Sequence, residues 1–353
     1  MASSESAPKK VTATERRLRT KQRERAPLPP GKLWLFRLIA GIVLPLLLLA
    51  ATELALRVGG AGYRTNFLVP QVVDGKPYLV TNPDFSLRFF PKEIARRPTL
   101  IQIDAVKSPG TVRIFALGES ALMGDPAEDF GICRVLEVML QHEFPATSFE
   151  FVNTGITAIN SHVIREIAGD VARHEPDIFF TYIGNNEVLG PYGPGTVLTP
   201  VMKSGMAIRA QVALKATKLG QALEAIGQRL YSGGKRTTSW QGLALFASSK
   251  FPSQDPALAP VHAHFRENLK AIIAAANRAG APAIVSTVAV NLSDCSPFAS
   301  EHTPALPPAD TTAFDAAMKA NTIESLKRAV VLSPRHAEAH YLLAKAFALS
   351  GDH

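Results

Sequence analysis

The sequence predicts an α/β fold with a mainly parallel sheet, preceded by one long apolar helix and followed by a helical segment. Three observations carry this. Apolar runs of strand length at 112–117, 149–152, 177–183 and 283–290 are separated by helical stretches at 131–142, 161–174, 202–230 and 260–279, the order that gives βαβ units. An almost wholly apolar run, 33–58, follows a basic tail. Amphipathic helical patterning resumes over 303–353.

The elements follow in chain order. The net charge of +8 looks like a nucleic-acid signal until it is located: 1–32 holds nine Lys/Arg against Glu5, Glu15 and Glu24. The rest of the chain is close to neutral, so no basic footprint for DNA or RNA falls on the folded part and no nucleic-acid partner is expected. The tail, polar and ending in Pro27-Leu28-Pro29-Pro30-Gly31, cannot bury enough apolar surface to fold and is expected to be disordered and cytoplasmic. Its neighbour, 33–58, has an uncharged centre of 15 residues, 38–52, or about 22 Å of helix. Adding 33–36 and 54–58 reaches the length of a bilayer core, about 30 Å, with Arg37 snorkelling to the headgroups. A cleaved signal peptide is the rival reading. The long basic lead and the lack of a small-x-small site favour an uncleaved, single-pass anchor in the cell membrane, with the N-terminus cytoplasmic and the main domain outside.

Segment 59–109 is rich in turn residues and reads as an irregular linker or accessory piece. The α/β domain is placed at 110–300. Within it, 190–256 is too long for one crossover and reads as an insertion, a candidate lid over a site. Cys133 and Cys295 are too few for a disulfide framework or a metal cluster; two buried thiols are the expectation, with one bridge left open.

Three polar clusters fall at the carboxyl ends of three strands: Gly118-Glu119-Ser120-Ala121, Asn153-Thr154-Gly155 and Gly184-Asn185-Asn186-Glu187. Ligands of open parallel sheets bind in the crevice outside the strand C-termini, so one rule brings together residues far apart in the chain. Acyl transfer needs a nucleophilic oxygen and donors aimed at a developing oxyanion. Ser120, on a tight turn between strand and helix, can present its hydroxyl. Gly155 lacks a Cβ, so its N–H can approach a substrate oxygen. Asn186 can supply a side-chain amide.

These clusters resemble the SGNH (GDSL-type) hydrolase/esterase family. Gly118-Glu119-Ser120-Ala121 is similar to the family's Gly-Asp-Ser-Leu block, with Glu for Asp and Ala for Leu; Gly155 fits the second-block glycine; Gly184-Asn185-Asn186-Glu187 resembles Gly-x-Asn-Asp, with Glu in the last place. The resemblance covers 110–295 and implies a flavodoxin-like three-layer parallel sheet (the SGNH hydrolase fold). It further implies Ser120 as nucleophile and Gly155 and Asn186 as oxyanion donors, with Asn185 as the alternative to Asn186. Each block alone is weak, since Gly-x-Ser and Gly-Asn-Asn turns are common as mere turns.

A serine needs a base, and the family's Asp-x-x-His block does not occur here. Glu301-His302 is the nearest candidate, which makes His302 a candidate base without the spacing that orients a ring. His162, His174, His262 and His264 read as helix-surface or capping residues. Further on, 337–347 with Gly351-Asp352 resembles the first helix of a tetratricopeptide repeat, and Leu326, Ala329 and Pro334 fall where the preceding repeat's second helix and closing proline belong. A generic amphipathic helix pair is the plainer reading. Because a repeat breaks off at His353, the chain is expected to be a fragment of a longer protein.

Two functions follow as expectations. The first is a membrane-anchored ester hydrolase or O-acyltransferase acting on an acyl-ester substrate, a glycan such as acetylated envelope polysaccharide or a lipid, and feeble without Asp-x-x-His. The second is a non-catalytic binding or assembly protein that recruits a protein partner through the repeats. No metal-ligand spacing and no phosphate-cradling Gly-rich loop stands in the sequence, so no cofactor is expected. The Lys203, Arg209, Lys215 and Lys218 face suggests only faintly a role at a membrane surface, since such charges usually solvate a helix.

Overall fold

A computed structural model describes residues 13–14, 29–230, 242, 249, 251–252, 254–297, 299–302 and 305–351. Most of the basic tail, expected to be disordered, lies outside the described residues, as does His353. The chain divides into two compact units, Met1–Gly62 with Thr217–Ala225, and Tyr63–Ala216 with Ile226–His353.

In the first unit, helix α1 (Pro30–Leu38) passes through a π-helical turn, Ile39–Val43, into α2 (Leu44–Val58). Pro45 has no N–H to donate, and the wider turn just before it accommodates the ring. The continuous helix Gly31–Val58 is 28 residues long, apolar enough to cross a membrane, and unburied along its length. It ends where Gly59 donates to the carbonyl of Ala55 and Ala61 to that of Leu56, satisfying carbonyls of the last turn.

The second unit opens with an antiparallel sheet, β1 (Leu68–Val73), β2 (Lys76–Thr81) and β3 (Gln102–Asp104), where the sequence suggested only irregular structure. Asp74 and Gly75, both at positive φ, make the two-residue hairpin turn that favours such residues. This sheet does not stand apart. Phe67, Phe85 and Phe89 pack on one another within the same apolar core as the larger sheet.

That larger sheet is parallel, with order β5-β4-β6-β7: β4 (Thr111–Gly118), β5 (Ser148–Asn153), β6 (Ile178–Tyr182) and β7 (Ala283–Ser286). Its strands are the four apolar runs of the sequence. The last is shorter than expected, because β6 offers no partner beyond the Tyr182 and Ser286 pairing. Helices α3 (Ser120–Met123), α4 (Ile132–Glu143), α5 (Ser161–Val171), α6 (Gly205–Lys215) and, after α7 (Lys218–Leu230), most of which belongs to the first unit, α8 (Leu258–Arg278) accompany the strands. The stretch expected to be one helix at 202–230 is therefore two. Phe115, Leu117, Val152 and Phe179 from the strands meet Val163, Ile164, Ile167 and Ile272 from α5 and α8 in the core. Helices α9 (Pro308–Ala320), α10 (Ile323–Leu332) and α11 (Ala337–Ser350) form a separate small cluster around Phe314, Ala317, Ala329 and Ala339.

Both cysteines are free. Cys133 is buried, as expected, and burial pushes its thiol up to about 12; Cys295 is exposed, contrary to the expectation of two buried thiols, because it sits in the loop after β7 rather than in a packed element.

The end of the sheet away from the strand C-termini is held by Arg113, which is fully buried on β4. Its guanidinium pairs with Glu150 of β5 and donates to the carbonyls of His174 and Asp104, each at 2.9 Å. One side chain thus joins both sheets and the end of α5. Asp170 acts similarly on α5, accepting from the N–H groups of Phe67 and Leu68 at 2.7 and 3.0 Å. Arg113→Leu, which strands Glu150 and two carbonyls, is expected to lower stability by about 3 kcal/mol, read as a lowered urea midpoint with unchanged slope; a loss within about 0.5 kcal/mol counts against this role.

Candidate functional site

The three polar clusters meet at the C-terminal edge of the parallel sheet, and small residues make the meeting possible. A Cβ on Gly118 would lie 2.6 Å from the carbonyl oxygen of Tyr182 on β6. One on Gly155 would lie 2.7 Å from both Cα and N of Met123, in the turn that Ser120 opens. Gly184, at φ +127, turns the chain off β6 in a conformation that side chains disfavour. Ser120 itself is half-buried at the start of α3, and among the described residues nothing hydrogen-bonds its hydroxyl.

Glu119, fully buried, ties the first cluster to the third. Its Oε1 accepts from the N–H of Gly184 at 3.1 Å. Burial raises its carboxyl up to about 8, helped by the charge of Glu187 and opposed by the N–H groups of Gly184, Asn186 and Asn185. Its Oε2 is buried with no partner among the described residues. Glu187 is also raised by burial, against the hydrogen bonds it receives from Ser161. Both acidic departures from the family pattern are thus withdrawn from water, Glu119 fully and Glu187 in part.

The two groups expected to act as donors both bond within the chain. The N–H of Gly155 donates to Asn153 Oδ1 at 3.0 Å, and Asn153 in turn donates through Nδ2 to the carbonyl of Met123 at 3.1 Å. Asn186 donates through its amide to the carbonyl of Ile159 at 3.1 Å, while Asn185 is exposed. His302, the candidate base, lies in a loop that packs on the C-terminal helices: Nδ1 is 3.0 Å from Ser333 Oγ and the ring stacks edge-on against Phe314. No histidine ring among the described residues hydrogen-bonds Ser120.

A polar cluster beneath the third turn was not foreseen. Glu187 Oε1 accepts from the N–H of Ser161 at 2.8 Å, and Oε2 from its hydroxyl at 2.7 Å. Asn268 of α8 donates to Ser161 Oγ and lies 3.0 Å from His162 Nδ1. His162, expected at a helix surface, is buried. Burial, then His264, Arg165 and Arg209, lowers it to about 3, so it is neutral at ordinary pH. A cavity of about 370 Å³ adjoins this cluster, lined by His162, Glu187, Tyr192, Lys203, Phe251 and His264 among others. Residues distant in the chain, Asn268, Tyr192 and His264, cover His162.

With this geometry established, the likenesses to known proteins are brief. No protein-family model and no curated protein matches the sequence. Among solved structures, AlinE4, a SGNH-hydrolase family esterase, is 15% identical over 50% of this chain and 77% of its own, with a TM-score of 0.23. TesA is 14% identical over 48% of this chain and 76% of its own, with a TM-score of 0.25. At such scores, what bears on function is the chain's own strand-end geometry.

Two outcomes are expected. Glu119 keeps its proton to about pH 8 in the folded chain, whereas a carboxyl at its ordinary value releases it near 4.5. Between those values the folded state binds the extra proton, so this group's stabilisation is full below the lower value and declines as pH rises towards the upper one. Thermal unfolding followed across that window should show Tm falling with pH, and Glu119→Gln should flatten the fall; an unchanged slope disproves the assignment. Gly155→Ala forces a Cβ into the Met123 backbone and should lower stability by about 1–3 kcal/mol, measured by chemical denaturation, although alanine is the smallest possible addition.

Proposed function

We propose that this chain is a membrane-anchored SGNH-type ester hydrolase or O-acyltransferase that works through Ser120. The observation that carries the reading is the convergence at one sheet edge: the Ser120 turn lies against Gly155, and Glu119 binds the Gly184 turn. In the reaction, Ser120 Oγ bonds to the acyl carbonyl carbon as the ester C–O bond breaks, and its proton passes through water to the departing alkoxide. Water, or a second hydroxyl, then takes the acyl group from Ser120 and restores the serine proton. The Gly155 N–H and the Asn186 amide are assigned to the oxyanion. No Asp-x-x-His occurs in the sequence, and His302 bonds Ser333, so turnover is expected to be slow, sustained by the donors and substrate binding alone.

The apolar helix Gly31–Val58 is assigned as a single-pass anchor in the cell membrane, with the basic tail cytoplasmic and the domain outside. That location suits an acyl ester on an envelope glycan or lipid. Glu119 and Glu187, which stand where the family has Asp, are held by the Gly184 N–H and by Ser161 respectively.

One observation favours a second reading. A serine hydroxyl with no ring nitrogen on it, beside donors already occupied, also suits a non-catalytic scaffold that recruits a partner through α9–α11, read as tetratricopeptide-like. A fluorophosphonate probe separates the two. The folded protein should be labelled and Ser120→Ala should not; Asn186→Ala should slow labelling by about 100-fold. If the folded wild-type chain takes no label, the catalytic reading is rejected in favour of the scaffold.

A further inference from the structure

Helix α7 carries an apolar face that the rest of the chain's described residues leave open. At 100° per residue, Leu219, Leu223, Ile226 and Leu230 fall within an arc of about 60°. Leu223, Ile226 and Leu230 are exposed to 53%, 52% and 81%. Glu224 and Gln228 occupy the opposite side, and Lys218 and Arg229 lie at the border, where long basic side chains reach towards headgroups.

The start of this helix is fixed by the spanning helix. Glu53 accepts from the N–H groups of Lys218 at 3.1 Å and Leu219 at 2.8 Å, and from Arg57 Nε at 2.7 Å. Glu53 is the first charge after Arg37 along the apolar run, about 24 Å further up the helix, so it stands near the outer boundary of the hydrocarbon. A carboxylate at that depth is costly unless partnered. Here its partners include the two leading N–H groups of α7, which also sets the level at which α7 begins.

We infer that α7 lies in the outer leaflet of the bilayer crossed by Gly31–Val58, with Leu223, Ile226 and Leu230 in the lipid and Lys218 and Arg229 at the headgroups. The inference rests on the reading of Gly31–Val58 as a membrane-spanning anchor, and it adds a second membrane contact more than 150 residues downstream. Continuity with the anchor through Glu53 selects lipid as the occupant of the apolar face. An amphipathic helix of this kind, about 20 Å long, buries its apolar side at the boundary of headgroups and acyl chains.

Site-directed spin labelling of the full chain tests this. With exposed Cys295 replaced by Ser, a nitroxide is attached in turn to Leu223→Cys, Ile226→Cys, Gln228→Cys and Leu47→Cys, and each protein is reconstituted in phosphatidylcholine/phosphatidylglycerol vesicles. The ratio of collisions with oxygen to those with a water-soluble nickel chelate reports depth. At 223 and 226 this ratio should exceed that at 228 by roughly threefold or more. Equal ratios at all three, with 47 lipid-buried, overturn the α7 inference and leave the anchor standing. Sites 223 and 226 shielded from both reagents mean that protein, a second copy or another part of the chain, covers the face, and this also overturns it. A water-exposed 47 removes the anchor and the inference together.

Discussion

The edge of the sheet where the polar clusters meet depends on one buried acid. Glu119 immediately precedes the candidate nucleophile and holds the N–H of Gly184, so the first and third turns share a single carboxyl group. Placing a carboxylate where Glu119 stands, with no exposed surface, is unfavourable unless its charge is removed or matched. Both remedies operate: backbone donors approach it, and burial together with Glu187 raises its affinity for a proton. In its neutral form the group accepts through one oxygen and can donate through the other, which lets it bridge two turns without leaving a charge in the core.

The second acid extends the same constraint inward. Glu187 is held by both the N–H and the hydroxyl of Ser161, and Ser161 and His162 share Asn268 of the facing helix. The third turn is consequently fastened to β4 through Glu119 and to α5 and α8 through Glu187. Because His162 is neutral, this network adds no cation to balance the two acids. The balance comes from protonation and from oriented dipoles.

What the sequence discloses follows from the range of the forces involved. The inner strand β4 is an apolar run because both of its faces are covered, and a strand end followed by polar and small residues marks the ligand edge; these are local signals. The β1–β2 hairpin has a local signal too, Asp74-Gly75, but Pro70, Gln71 and Pro77 break the alternation that would have announced its strands. The interruption between α6 and α7 has no comparable signature. Ala216-Thr217 looks helical, and the acceptor that lets a new helix begin at Lys218 is Glu53, a residue about 165 positions earlier in the chain. The burial of His162 is equally non-local, since Asn268, Tyr192 and His264 reach it across the fold.

The occupied donors bear directly on how such an edge could favour a transition state. In the resting chain the Gly155 N–H is satisfied by the neutral amide oxygen of Asn153, and the Asn186 amide by the carbonyl of Ile159. A neutral ester carbonyl gains little by displacing equally neutral acceptors. An oxyanion gains much more, because hydrogen bonds to a charged acceptor are roughly twice as strong as neutral ones. Under the proposed chemistry the exchange of partners becomes favourable only as charge develops on the substrate oxygen, and an interaction made in the transition state but not in the ground state is the kind that raises kcat. The same exchange requires Asn153 to release Gly155 while retaining the Met123 carbonyl through its Nδ2, so the side chain that occupies the donor at rest can remain as the strut that keeps the Ser120 turn in place.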